Sequence, residues 1–111
     1  MQRMMIQTHN VLALDVGERR IGVALASMEA RMASPLLTLD RREHADIMVR
    51  IKQLLAQHEI DTVVVGLPRG MEGQETDQTR SARQFAADLA EVCGLPVHLQ
   101  DEAATSLAAE D

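Results

Sequence analysis

Three short segments of this 111-residue chain place acids, glycines and arginines where an apolar run gives way to a turn. In VLALDVGERRIGVALAS (residues 11–27), the first run ends on Asp15, and Gly17, Arg19 and Arg20 follow before a second run begins. GLPRG (66–70) closes another apolar run with Gly66 and Arg69, and Asp101 and Glu102 follow PVHLQ. Carboxylates gathered on one rigid edge repel one another unless a cation neutralises them. Hard divalent ions prefer oxygen ligands, and a pair of them about 4 Å apart clamps the attacking and leaving oxygens of a phosphoryl displacement. Magnesium or manganese is therefore the expected cofactor. Each segment alone also has a plainer reading: Asp15 as a turn residue, Gly17 and Gly22 as hairpin residues, and Asp101-Glu102 as a solvated loop.

What brings the three segments together is the order of the elements around them. Alternation and β-branched content predict strands at Asn10 to Val16, Gly22 to Ala26 and Ser34 to Leu39. Ile47, Ile51, Leu54 and Leu55 then recur at helical spacing, and Thr62 to Gly66 suits a strand buried on both faces. A second helix is predicted over about Glu75 to Cys93, with Ala82, Phe85, Ala86, Leu89 and Val92 facing inward and Gly94 as its end signal. The last strand reaches Gln100, and Thr105 or Ser106 is placed to cap a helix that has scarcely begun at Asp111. Short links favour antiparallel pairing of the first three strands, and helical crossovers favour parallel pairing of the later ones. The expected fold is a mixed five-stranded α/β sheet with flanking helices. The parallel strands then end on one edge, where open α/β sheets bind ligands.

Composition narrows the function classes. One domain over 1–111 is expected, with residues 1–9 as a flexible extension. The single Cys93 forms no internal disulfide and reads as a small hydrophobe, which suits a cytoplasmic protein. No run approaches the roughly 20 apolar residues of a spanning helix, and no membrane role is expected. The four histidines, His9, His44, His58 and His98, have no metal-ligand spacing. With Phe85 the only aromatic residue, bases cannot be held on stacking platforms. The net charge of -6 opposes general nucleic-acid coating, yet all eleven basic residues lie in 1–83, beside eleven acids. Residues 84–111 carry the other six acids and so the whole deficit.

LALDVGERRIGVALAS, ASPL (33–36), VVVGLPRGMEGQE and VHLQDEAATS resemble, in order and spacing, the YqgF family of Holliday junction resolvases, also described as ribosomal RNA precursor nucleases. The first motif alone is weak, because sugar kinases and actin-like ATPases carry a similar phosphate loop; the set of motifs is specific and covers nearly the whole chain. The resemblance implies a ribonuclease H-like fold. It implies Asp15 and Glu102 as catalytic, metal-holding carboxylates, with Gly17 and Arg19 in the loop beside Asp15. On the reading of a nuclease, Arg19, Arg20 and Arg69 are expected to position the nucleic-acid backbone, with Gly17 and Gly66 beside the substrate. Structured RNA or DNA is the implied partner.

Three departures stand against the pattern. Ala103 replaces the usual Arg after the Asp-Glu pair, Gly70 stands where Asn is common, and the family's third carboxylate lies on a helix expected beyond residue 111. They keep open a non-catalytic nucleic-acid-binding or transcription-associated module of the same fold. A fragment of an actin-like ATPase is the poorer alternative, since those proteins need a second nucleotide-binding lobe. Without a C-terminal helix, strand residues and the helix around Phe85 are expected to stay exposed, favouring a homo-oligomer or a domain-swapped dimer.

Overall fold

The computed structural model describes residues 10–27 and 32–101. The expected extension at 1–9, and Glu102, Ala103, Thr105 and Ser106, lie outside the described residues. Strands β1 (Asn10–Val16), β2 (Arg20–Ser27) and β3 (Met32–Asp40) are followed by a 3-10 turn at Arg41–Glu43 and helix α1 (His44–Gln57). Then come β4 (Thr62–Leu67), α2 (Asp77–Cys93) and β5 (Val97–Asp101).

The five strands form one sheet in the order β3-β2-β1-β4-β5. β1–β2 and β2–β3 are antiparallel, whereas β1–β4 and β4–β5 are parallel, as the link lengths require. β2 begins two residues earlier than its alternation suggests, because the ladder runs on through Arg20 opposite Asp40. α2 begins at Asp77, where Thr76 caps it: the Thr76 hydroxyl accepts from the Thr79 N–H, and the Thr79 hydroxyl accepts from the Thr76 N–H. It stops at Gly94, whose φ of 70° is the left-handed conformation that glycine tolerates best.

Period-2 alternation divides the sheet into two unlike faces. Leu12, Leu14 and Val16 of β1, Ile21 and Val23 of β2, and Val63, Val65 and Leu67 of β4 are buried in one cluster with both helices. α1 contributes Ile47, Ile51, Leu54 and Leu55, and α2 contributes Ala82, Phe85, Ala86 and Leu89. β4 is thus not buried on both faces as its apolar run suggests: Thr62, Val64 and Gly66 are only half-buried. Phe85 is 3% exposed, as its place on the inward stripe requires and contrary to the exposed patch expected around it, because α2 lies on the same face as α1 and its ring enters their common core. Val92 is 43% exposed, also contrary to expectation. After Leu89, the inward position passes to Cys93, four residues on, which packs against the core in its place.

Candidate active site

Asp15 is the last outward-facing residue of β1, so its exposed carboxylate stands on the sheet face away from the helices. It lies opposite Gly22 of β2, and a Cβ built at Gly22 would sit 3.7 Å from the Asp15 Cβ. Gly66, near the end of β4, lies opposite Gln100 of β5. Asp15, Gly66 and Gln100 line one groove of about 430 Å³, with Ala13, Gly22 and Ala24 among the residues forming its floor. Small side chains on this face leave room beside the carboxylate, where valine or leucine would fill it.

Asp15 offers an anionic oxygen without a side-chain partner among the described residues, and Gln100 offers an amide oxygen. No group of three or more His, Cys, Asp or Glu side chains suited to a metal occurs among the described residues. Asp15 thus fits one ligand position of an oxygen site, and Glu102 falls outside the described residues.

The turn from β1 into β2 closes with the Gly17 N–H donating to the Arg20 carbonyl at 2.8 Å. A Cβ at Gly17 would sit 3.0 Å from that same oxygen, closer than ordinary side-chain contact, so the tight closure favours glycine. Arg19 and Arg20 are exposed on this turn. Gly17 does not line the Asp15 groove; it borders a second one between the turn and the start of α2, with Glu18, Arg41, Gln78 and Ser81. Arg41 donates from one guanidinium nitrogen to the Gly17 carbonyl and the Ser81 hydroxyl.

Arg69 is held within the protein. Its guanidinium pairs with Asp101 at 3.3 Å and with Glu75 at 3.4 Å, and Arg83 pairs with the same Glu75. The Arg83 contact, with its neighbouring positive charge, holds the Glu75 carboxyl below the usual carboxylate range. Asp101 is in register with inward-facing Leu67, whereas Gln100 is in register with Gly66 of the groove. Asp101 thus ties β5 to the loop after β4 and does not share the Asp15 face.

The same loop has two further ties. The hydroxyl of Thr79, a fully buried residue, donates to the Pro68 carbonyl. The Gln74 side-chain amide occupies the space a side chain at Gly70 would need, since a Cβ there would fall 2.4 Å from it. Gln74 also accepts from the Glu72 N–H through its side chain at 3.0 Å and from the Gly70 N–H through its carbonyl at 2.8 Å. Arg41, Thr79 and Gln74 were not singled out in the sequence. Only Thr79 had a local signal, as a polar residue three positions before the inward Ala82.

A family model described as RuvX, Holliday junction resolvase, matches residues 9–111. A protein of Chloroflexus aggregans named "Putative pre-16S rRNA nuclease" is 44% identical over 100 residues, covering 90% of this chain and 70% of that protein. A protein of the same name from Cereibacter sphaeroides is 36% identical over 104 residues, covering 94% of this chain and 65% of that one. This chain therefore spans about two thirds of the length of such relatives. Among solved structures, RuvC of Thermus thermophilus superposes with a TM-score of 0.58 at 18% identity, over 83% of this chain and 63% of that one. At that identity the likeness is one of fold, a ribonuclease H-like sheet.

Proposed function

Because this chain belongs to the RuvX family of Holliday junction resolvases, we propose that it carries the active face of a divalent-metal-dependent nuclease. Its reaction is hydrolysis of phosphodiester bonds in structured nucleic acid, either a ribosomal RNA precursor or a four-way junction. The observation that carries the reading is Asp15, an exposed carboxylate in a groove floored by glycine and alanine at the shared end of β1, β4 and β5.

Glu102 is the second carboxylate of this reading. In a continued strand, a residue two places after Gln100 takes the same face as Gln100 and Asp15. Magnesium or manganese bound by these two acids would supply Lewis acidity and neutralise charge on the phosphoryl oxygens. Gly22 and Gly66 leave space for a sugar-phosphate backbone to approach Asp15. Arg19 and Arg20, exposed on the adjoining turn, are suited to phosphate contacts, which position a substrate without reading its sequence. Arg69 holds the β4 and β5 ends together in this account, through Asp101 and Glu75. No described helix is long and apolar enough to cross a membrane, and a cytoplasmic location belongs to the same proposal.

A binding module without chemistry is the second reading. It draws support from the lone acid in the groove among the described residues and from Ala103. Full-length protein incubated with magnesium and either a ribosomal RNA precursor or a four-way junction separates the two. Cleavage that Asp15→Asn abolishes, with binding retained, supports the nuclease. Binding without cleavage by the unmodified protein supports the module.

A further inference from the structure

The turn that follows Asp15 is fastened by a residue far away in the chain. Arg41 lies just past β3, yet its Nη1 donates to the Gly17 carbonyl at 2.8 Å and to the Ser81 hydroxyl of α2 at 3.1 Å. Its backbone N–H donates to the Arg19 carbonyl at 2.6 Å. Its guanidinium carbon lies 6.0 Å from the centroid of the Phe85 ring, within cation–π reach. Phe85 is buried and cannot follow a swinging side chain, so the guanidinium has a fixed seat.

We propose that Arg41 is a positioning residue for the Asp15 site: it locks the Gly17–Arg20 turn against α2 and so fixes how the carboxylate leaves the sheet. The proposal rests on the nuclease reading of Asp15. Two carbonyls of one short turn, Gly17 and Arg19, are satisfied by this single residue. The turn's own closing bond, Gly17 N–H to the Arg20 carbonyl, lies between them. Asp15 is two residues before Gly17, so a twist of the turn is carried directly into its backbone. A planar guanidinium can lie over the ring while one nitrogen serves both the turn and the helix; a lysine ammonium has no such plane. Losing Arg41 removes no residue of the hydrophobic cluster, so its effect should appear at the turn before it appears in the core.

Amide hydrogen exchange and cleavage kinetics on the full-length protein test this together, using Arg41→Ala, Arg41→Lys and Ser81→Ala. In Arg41→Ala, exchange at the Gly17 amide should rise about tenfold or more, while exchange at Val63 and Val65 changes less than about twofold. The rate kcat should fall about tenfold with KM within about twofold, because positioning acts on the reacting geometry rather than on substrate capture. Arg41→Lys should recover part of kcat. If Arg41→Ala weakens core protection as well, Ser81→Ala, which keeps the guanidinium on Phe85, is read in its place.

Unchanged exchange at Gly17 overturns the clamp. Raised exchange with unchanged kcat overturns its link to catalysis. Unmodified protein that cleaves neither substrate overturns the nuclease reading and with it the catalytic role, and the exchange data alone then decide the clamp.

Discussion

The two faces of the sheet are built from the same strands and have little else in common. On the helix side, β1, β2 and β4 present Leu12, Leu14, Val16, Ile21, Val23, Val63, Val65 and Leu67, all buried. On the other side, the same strands present Ala13, Asp15, Gly22, Ala24, Val64 and Gly66, around an open groove. A period of two lets adjacent residues take opposite duties. Buried apolar side chains are concentrated on the first face, and open space on the second. The contrast teaches that volume, as much as charge, marks the candidate site: Asp15 stays exposed because its neighbours are too small to cover it.

The largest expected effect lies on the groove side. Asp15→Asn and Glu102→Gln should each lower magnesium-dependent cleavage by roughly a hundredfold or more, and the double variant only a little further, because ligands of one site act as a unit. Single-turnover rates of the four proteins check this. On the helix side, Leu12→Ala should cost about 2–5 kcal/mol of stability while leaving the rate per folded molecule nearly unchanged. A urea titration alongside the cleavage assay reads both quantities.

The strands and helices were legible in the sequence because burial on one side imprints a period of two or 3.6. The division of the faces was only half legible. The run Thr62 to Gly66 looks uniformly apolar, and only the helices' shared choice of one face leaves Thr62, Val64 and Gly66 on the other side. Val92 was misplaced because an inward stripe can advance by three or four residues, and packing chose Cys93. Asp15 and Gly66 could be brought together from strand order alone. Arg69 could not be assigned its partner, since Asp101 is 32 positions away and the pair depends on how the β4–α2 loop lies. The Arg41 contact to Ser81, across 40 positions, left no local trace for the same reason.

A smaller effect is expected where that loop is anchored. Thr79→Val keeps the shape of the side chain but leaves the Pro68 carbonyl and the Thr76 N–H without their hydroxyl partner. It should cost about 1–3 kcal/mol, seen as a lowered urea midpoint. The smallest effect belongs to the exposed ion pair at the end of β3. The side chain and backbone N–H of Arg42 hold the Asp40 carboxyl well below its ordinary value of 3.8. A depressed carboxylate stabilises the fold above its unfolded pKa and loses that contribution as pH falls through the folded one. Asp40→Asn should therefore be slightly less stable than the unmodified protein near neutrality, with the difference shrinking as pH falls below 3.8 and vanishing only below the depressed pKa of the folded state. Urea midpoints at pH 7 and in strong acid check the sign.

The contrast between the faces is tested most directly by single-turnover cleavage in magnesium, expressed per folded molecule, for full-length unmodified protein, Asp15→Asn and Leu12→Ala side by side. The account predicts that Asp15→Asn keeps its stability and loses cleavage by roughly a hundredfold or more, while Leu12→Ala loses stability and keeps its rate. An Asp15→Asn protein that is fully folded and cleaves within about tenfold of the unmodified protein would contradict it.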